Sequence, residues 1–445
     1  MAFAASPNPP VRATAQPGGT RYTDYPMALG VMTTIFFMWG FLTCLNDILI
    51  PHLKAVFELN YTRVMLVQFT FFGAYFLMSL PAGRVVARLG YKQSIVTGLV
   101  VAGLGAAGFW PAAQLRSYGV FLAALFVLAT GITLLQVAAN PYVALLGPER
   151  TSSSRLTLAQ ALNSLGTTLA PLFGGLLILS STVLGSSQIA ALSPPERLAY
   201  RVQEAQSVQG PYLGLAVALL VLALIVWLFR LPALTETTER ADRERHTLAD
   251  ALRHRHVRFG VLAIFFYVGA EVSIGSFMVN YLSLPGIGGL SEAHAAHYVA
   301  FYWGGAMVGR LVGSALLAWL DPRKLLALFA AVAAALVLTT MLSHGNVAMV
   351  SVIAIGLFNS IMFPTIFALG IERLGPLTGK ASSLLIMAIV GGALVPLAQG
   401  FLADRIGVQH AFVLPLLCYG FIVFYGLNGS RPDPVQRPQA GAGAR

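Results

Sequence analysis

Apolar residues run along this chain in long stretches separated by short polar connections, and those connections hold nearly all of the charge. An α-helix needs roughly 20 mostly apolar residues to cross a bilayer. Twelve stretches of that kind fall near residues 27–50, 63–87, 91–113, 118–147, 155–183, 208–230, 257–283, 294–320, 322–342, 346–374, 379–404 and 408–428. We number them spans 1 to 12. The pattern predicts an all-α membrane protein with twelve transmembrane helices. The termini, 1–26 and 429–445, are rich in Pro, Gly and Ala and are expected to be disordered. The first 26 residues lack the apolar core of a cleavable signal peptide.

The two halves of the chain repeat each other. PYVALLGPER from Pro141 matches PTIFALGIER from Pro364, with Pro, Leu, Gly, Glu and Arg at identical spacing. APLFGG ending at Gly175 aligns with VPLAQG ending at Gly400 at nearly the same offset. Parallel repeats of six helices imply two pseudo-symmetric six-helix bundles, 27–230 and 257–428, related by an axis along the membrane normal with a site between them. The intervening charge run, from Arg230 to Arg258, alternates signs as a solvated linker helix does, and 231–256 is assigned to it.

Composition agrees with lipid as the main solvent: 57% of residues are apolar and only 10% charged. The net charge of +11 could suggest nucleic acid, but the basic residues lie in short loops and form no patch on a soluble domain. Twenty-one of the 28 Lys and Arg fall on the side of the amino terminus and six on the other. That bias puts both termini in the cytoplasm. Cys44 and Cys418 lie in apolar stretches far apart and offer neither a disulfide framework nor a metal site. No Walker motif, metal cluster or nucleophile triad appears, so the sequence supports no enzyme, no catalytic residue and no cofactor.

Twelve spans in two halves, a long central basic loop and GRVVARLGYK from Gly83 resemble the major facilitator superfamily, although the acidic residue usual in that loop motif is missing. LNDILIP from Leu45, FWPAA from Phe109, AANPYVALLGPE from Ala138 and RLTLAQALNSLG from Arg155 are similar to the fucose:proton symporter family. FYVGAEVSIGSFMVNYL from Phe266 looks more like its glucose/galactose branch. The resemblance covers nearly the whole membrane-embedded chain. It implies alternating-access symport of a small neutral sugar across a bacterial inner membrane by a monomer, with H⁺ or Na⁺ as the coupling ion and the bilayer as the other partner.

A charge at the centre of a membrane helix costs about 2.5–3.5 kcal/mol on insertion scales, so intramembrane ionisable groups are functional candidates. They are Asp47 in span 1, Glu271 in span 7 and Arg310 in span 8. Asp47 follows Asn46 and shares a helix face with Thr43 and Trp39, and the resemblance also places an Asp in span 1. Glu271 lies mid-span, where it serves either ion coupling or a structural ion pair, for instance with Arg310. The fucose symporters carry a functional Glu in span 4 where this sequence has Gln136; an amide cannot carry a proton, so coupling falls to Asp47 and Glu271 or the ion is Na⁺.

Amides match sugar hydroxyls because they offer one acceptor and two donors. Gln136 and Asn140 share a face of span 4, Gln160 and Asn163 share one of span 5, and the repeat maps Gln136 onto Asn359. Amides also hold membrane helices together, which is the competing explanation for each. Asn280 lies on the face of span 7 opposite Glu271 and reaches a cavity only if the helix breaks near Gly275. Trp39 and Trp303 could stack on a pyranose or simply anchor the core. Pro141 and Pro364 occupy matched positions where a kink would suit bending helices, and Arg310 reads first as a gating or structural group. An uncoupled sugar facilitator, an L-fucose-type symporter and a non-transporting sugar sensor are the alternatives to a glucose/galactose-like symporter.

Overall fold

The computed structural model describes residues 25–57, 61–115, 117–177, 192–193, 195–196, 209–232 and 247–432; the side chains at 25, 44–65, 68, 171–177, 292–293 and 296 lie outside the described residues. Within them the chain is helical throughout. Span 1 is Tyr25–Phe57; spans 2 and 3 form one element, Tyr61–Ala107, followed by Phe109–Leu115; spans 4, 5 and 6 are Tyr118–Leu145, Ser152–Leu177 and Gln209–Leu228. Spans 7, 8 and 9 are Arg255–Leu282, Glu292–Trp319 and Pro322–Leu342. Span 10 is split into Gly345–Asn359 and Met362–Gly370, and span 11 into Thr378–Met387 and Gly391–Ile406. Span 12 runs through Val408–Ala411 and Val413–Phe424 to a π-turn at Tyr425–Gly429.

The turn between spans 2 and 3 is made at Gly90, whose φ of 76° and ψ of 174° suit only glycine. Of the linker, Leu248–Arg253 forms a short helix opened by a capping box between Thr247 and Asp250, and residues 233–246 lie outside the described residues. The helix does not run on to Arg258 as the charge pattern suggested: it ends at His254, whose extended backbone starts span 7.

Spans 1–6 pack mainly on one another and spans 7–12 likewise, while spans 5 and 8 and spans 2 and 11 meet across the two groups. Spans 5 and 8 are not among the described stretches that are apolar enough to cross a membrane by composition alone. Their polar residues face each other instead of lipid. Glycines permit close approach: a methyl group added at Gly40 or Gly166 would overlap the Asn163 or Phe37 backbone, which holds spans 1 and 5 together. Tyr91, Gly147, Glu149, Asp321, Arg323 and Arg373 line one cleft of about 730 Å³, which places these connections at a common end of the molecule. We call that end the basic face.

Candidate functional site

Pro364 has no amide proton, so the carbonyl of Ser360, four residues earlier, is released from the helix ladder. That carbonyl accepts from Arg310 Nε at 3.3 Å. One residue earlier, the Asn359 carbonyl lies at the end of Gly345–Asn359 and accepts from the Tyr267 hydroxyl at 3.1 Å. The break in span 10 thus becomes a pair of acceptors for spans 7 and 8. Its counterpart Pro141 produces no such break, because Tyr118–Leu145 continues through it. Repeat positions of equal sequence have therefore diverged in shape.

Arg310 joins three elements. Its NH2 lies 3.8 Å from Glu271 Oε1, and both side chains are almost fully buried, at 13% and 12% exposure. Its NH1 donates to the Ser164 hydroxyl of span 5, in the other half. One guanidinium therefore links the span 7 carboxylate, the opened backbone of span 10 and the opposite bundle. The planar, always-charged fork suits this use better than a lysine would.

Around this pair runs a chain of tyrosines. Tyr419 donates to Asn359 Oδ1 at 2.6 Å, Asn359 Nδ2 donates to the Tyr302 hydroxyl at 2.7 Å, and Tyr302 donates to the Glu271 carbonyl at 3.3 Å. Asn359 is fully buried and its side chain is engaged at both ends, so it ties together spans 8, 10 and 12 and, through Tyr302, span 7. The other half repeats one part of this: Gln136 Nε2 donates to the Tyr75 hydroxyl of span 2 at 2.6 Å, and Trp39 flanks the same hydroxyl. In each half, then, the matched amide of the fourth helix donates to a tyrosine of the second. Gln136 differs in leaving its Oε1 without a partner among the described residues.

The remaining predicted residues divide. Asn140, one turn from Gln136, is fully buried with neither amide atom bonded among the described residues. Gln160 is buried one turn from Ser164, whose hydroxyl also bonds its carbonyl at 3.1 Å. Asn163 donates to the Phe36 carbonyl at 2.9 Å and so fastens span 5 to span 1. Span 7 is unbroken at Gly275, so Asn280 stays exposed on the far face and is not brought to the cluster. Trp303 is 41% exposed and Trp39 is 7% exposed, packed on Phe36. Asn46 and Asp47 belong to the helix of span 1, but their side chains lie outside the described residues. Tyr75, Tyr302, Tyr419 and Ser164 were missed, since single tyrosines and serines in apolar stretches carry no spacing signal. No group of His, Cys, Asp and Glu that could hold a metal occurs among the described residues.

Two helical bundles thus meet around a buried ion pair with polar cross-links between them, a two-bundle arrangement that known membrane transporters share. A sequence model of the Major Facilitator Superfamily matches residues 28–390. The chain is 55% identical over 408 residues to the glucose/galactose transporter of Brucella abortus biovar 1 (strain 9-941), across 92% of this chain and 95% of that protein. It is 37% identical over 408 residues to the L-fucose-proton symporter of Escherichia coli (strain K12), across 90% and 93%. It also aligns with the crystal structure of the transporter FucP in the outward conformation, with a TM-score of 0.84 and 36% identity over 91% of this chain and 98% of that one. The chain belongs to the major facilitator superfamily, in the glucose/galactose branch of its fucose:proton symporter family, and has that superfamily's twelve-helix fold.

Proposed function

We propose that this protein imports a neutral monosaccharide, glucose or galactose in type, by cation symport through alternating access. The observation that carries the reading is the buried Glu271–Arg310 pair tied to Ser164 of the opposite bundle, because a carboxylate whose charge is balanced by the group that links the halves can join ion binding to their movement. Asp47, on the helix that carries Trp39, is the second coupling carboxylate, and the proton is favoured over Na⁺. Gln136, Asn140 and Gln160 supply the polar contacts for sugar hydroxyls, with Trp39 and Asn46 beside them. Asn163 and Asn359 act on the same site by holding its helices.

One positive charge moving down 100 mV releases about 2.3 kcal/mol, and about 1.4 kcal/mol is a factor of ten, so one coupled cation sustains roughly fifty-fold accumulation. The protein works as a monomer in the bacterial inner membrane, with both termini cytoplasmic and the basic face inward, and needs no cofactor beyond the coupling ion and no nucleic acid. Uptake of labelled glucose, galactose and L-fucose into proteoliposomes under a pH gradient, a Na⁺ gradient or neither tests this. Accumulation of glucose or galactose that follows one gradient supports symport and names the ion. Equal equilibration under all three conditions makes the protein a facilitator, and transport of L-fucose alone moves it to the fucose type.

A further inference from the structure

Spans 2 and 4 run in the same direction, and the Gln136–Tyr75 hydrogen bond fixes their register. One turn of about 6 Å toward the basic face brings Ser79 and Asn140 to the same depth on the same faces. Two turns on, Gly83 meets span 11 so closely that an added Cβ would overlap the Ser383 hydroxyl. Successive residues of that helix are about 100° apart. Ser383 faces span 2, and Leu385 faces Gly260 of span 7 and Gly370 of span 10, so helix geometry sets Ser382 between them, on a helix that also packs against span 4.

Ser79, Asn140 and Ser382 are each fully buried, and Ser79 Oγ, Ser382 Oγ and both amide atoms of Asn140 lack a hydrogen-bond partner among the described residues. A buried polar group without a partner is destabilising, and native proteins rarely leave several together. Their position is informative. Ala144 and Thr378, which line the cleft at the basic face, lie one turn from Asn140 and Ser382 on the outer side. Gln136 and Tyr75 lie one turn on the inner side. The three residues therefore stand between the central cluster and the cleft, contributed by both halves of the molecule.

We propose that Ser79, Asn140 and Ser382 form a second hydroxyl-binding subsite, closed in this conformation, that engages the neutral sugar after the halves part on the basic side. The proposal rests on the sugar reading above. Four unmatched donor and acceptor atoms then have a purpose: they bond the substrate in transit and are left unpaired when the path seals. A purely structural role predicts the opposite economy, with each group paired in the packed state.

The test compares the full-length protein with its Ser79→Ala/Ser382→Ala variant, measuring melting temperature and glucose and galactose transport from each face in right-side-out and inside-out vesicles. Removing unpaired hydroxyls raises the melting temperature of the double variant by about 1–2 °C. Losing one hydrogen bond to the sugar raises the half-saturating concentration from the basic face about five-fold or more, and leaves that from the other face within about two-fold. A lower melting temperature in the double variant assigns the hydroxyls to structural hydration and overturns the inference. Equal effects on both faces, or none on either, in a protein that transports also overturn it. No transport of either sugar by the unmodified protein overturns the sugar reading and this inference with it.

Discussion

Neutralising Glu271 should leave Arg310 buried with only a carbonyl and a hydroxyl for partners. At 3.8 Å the pair interacts by about 4 kcal/mol at an effective dielectric of about 20. Removing one member of a buried pair costs about 3–5 kcal/mol, because the surviving charge is left uncompensated. Arg310 keeps its bonds to Ser360 and Ser164, which puts Glu271→Gln at the lower end, about 3 kcal/mol. Arg310→Gln loses those bonds as well and should cost more. The double variant removes both charges and should be no less stable than Arg310→Gln alone, giving a coupling energy of at least about 3 kcal/mol in a double-mutant cycle. The assay is reversible unfolding of purified protein in detergent micelles, run on all four proteins under one condition. Additivity to within about 0.5 kcal/mol would refute the reasoning, since it would mean that the two charges are independently solvated.

Asn359→Leu removes the acceptor of Tyr419 and the donor to Tyr302, so we expect a loss of about 2–4 kcal/mol, read as a lowered unfolding midpoint, with Asn359→Gln retaining more. Gly90→Ala forces a side chain into a backbone region that L-residues avoid and should cost about 1–3 kcal/mol in the same assay. Glu149→Gln breaks only the exposed 3.3 Å pair with Arg373 at the basic face, and should change stability by less than about 1 kcal/mol, with any effect shrinking at high salt.

The spans were legible because hydropathy and length alone define them, and the repeat exposed the two halves without any knowledge of packing. The depth of Glu271 and Arg310 was legible for the same reason: a charge inside an apolar run is conspicuous. Their partners were less so. Arg310 was named as one ion partner for Glu271, but Ser164 and the Ser360 carbonyl could not be found, since a hydroxyl and a backbone oxygen look alike at every position. Pro364 signalled a disturbed helix but not which side chains would use the freed carbonyls. The amides were found correctly as polar points, and Asn280 was correctly set on the far face of span 7. Asn359 and Asn163 bond neighbouring helices, and their spacing did not show this: whether an amide meets a neighbouring helix depends on what stands opposite it, and spacing along one helix does not carry that information. Gly90 fell in the short connection that hydropathy marks between spans 2 and 3, but the backbone angles that require a glycine there leave no mark in the sequence.

The most direct test of the account is the current produced when sugar is added to proteoliposomes containing the protein, measured alongside sugar counterflow for the unmodified chain and for Glu271→Gln. The account predicts inward positive charge movement with glucose or galactose in the unmodified protein, and no current with counterflow retained in Glu271→Gln. A sugar-induced current of undiminished size in Glu271→Gln would contradict it, because the cation would then travel without the carboxylate that the Arg310 bridge connects to the opposite bundle.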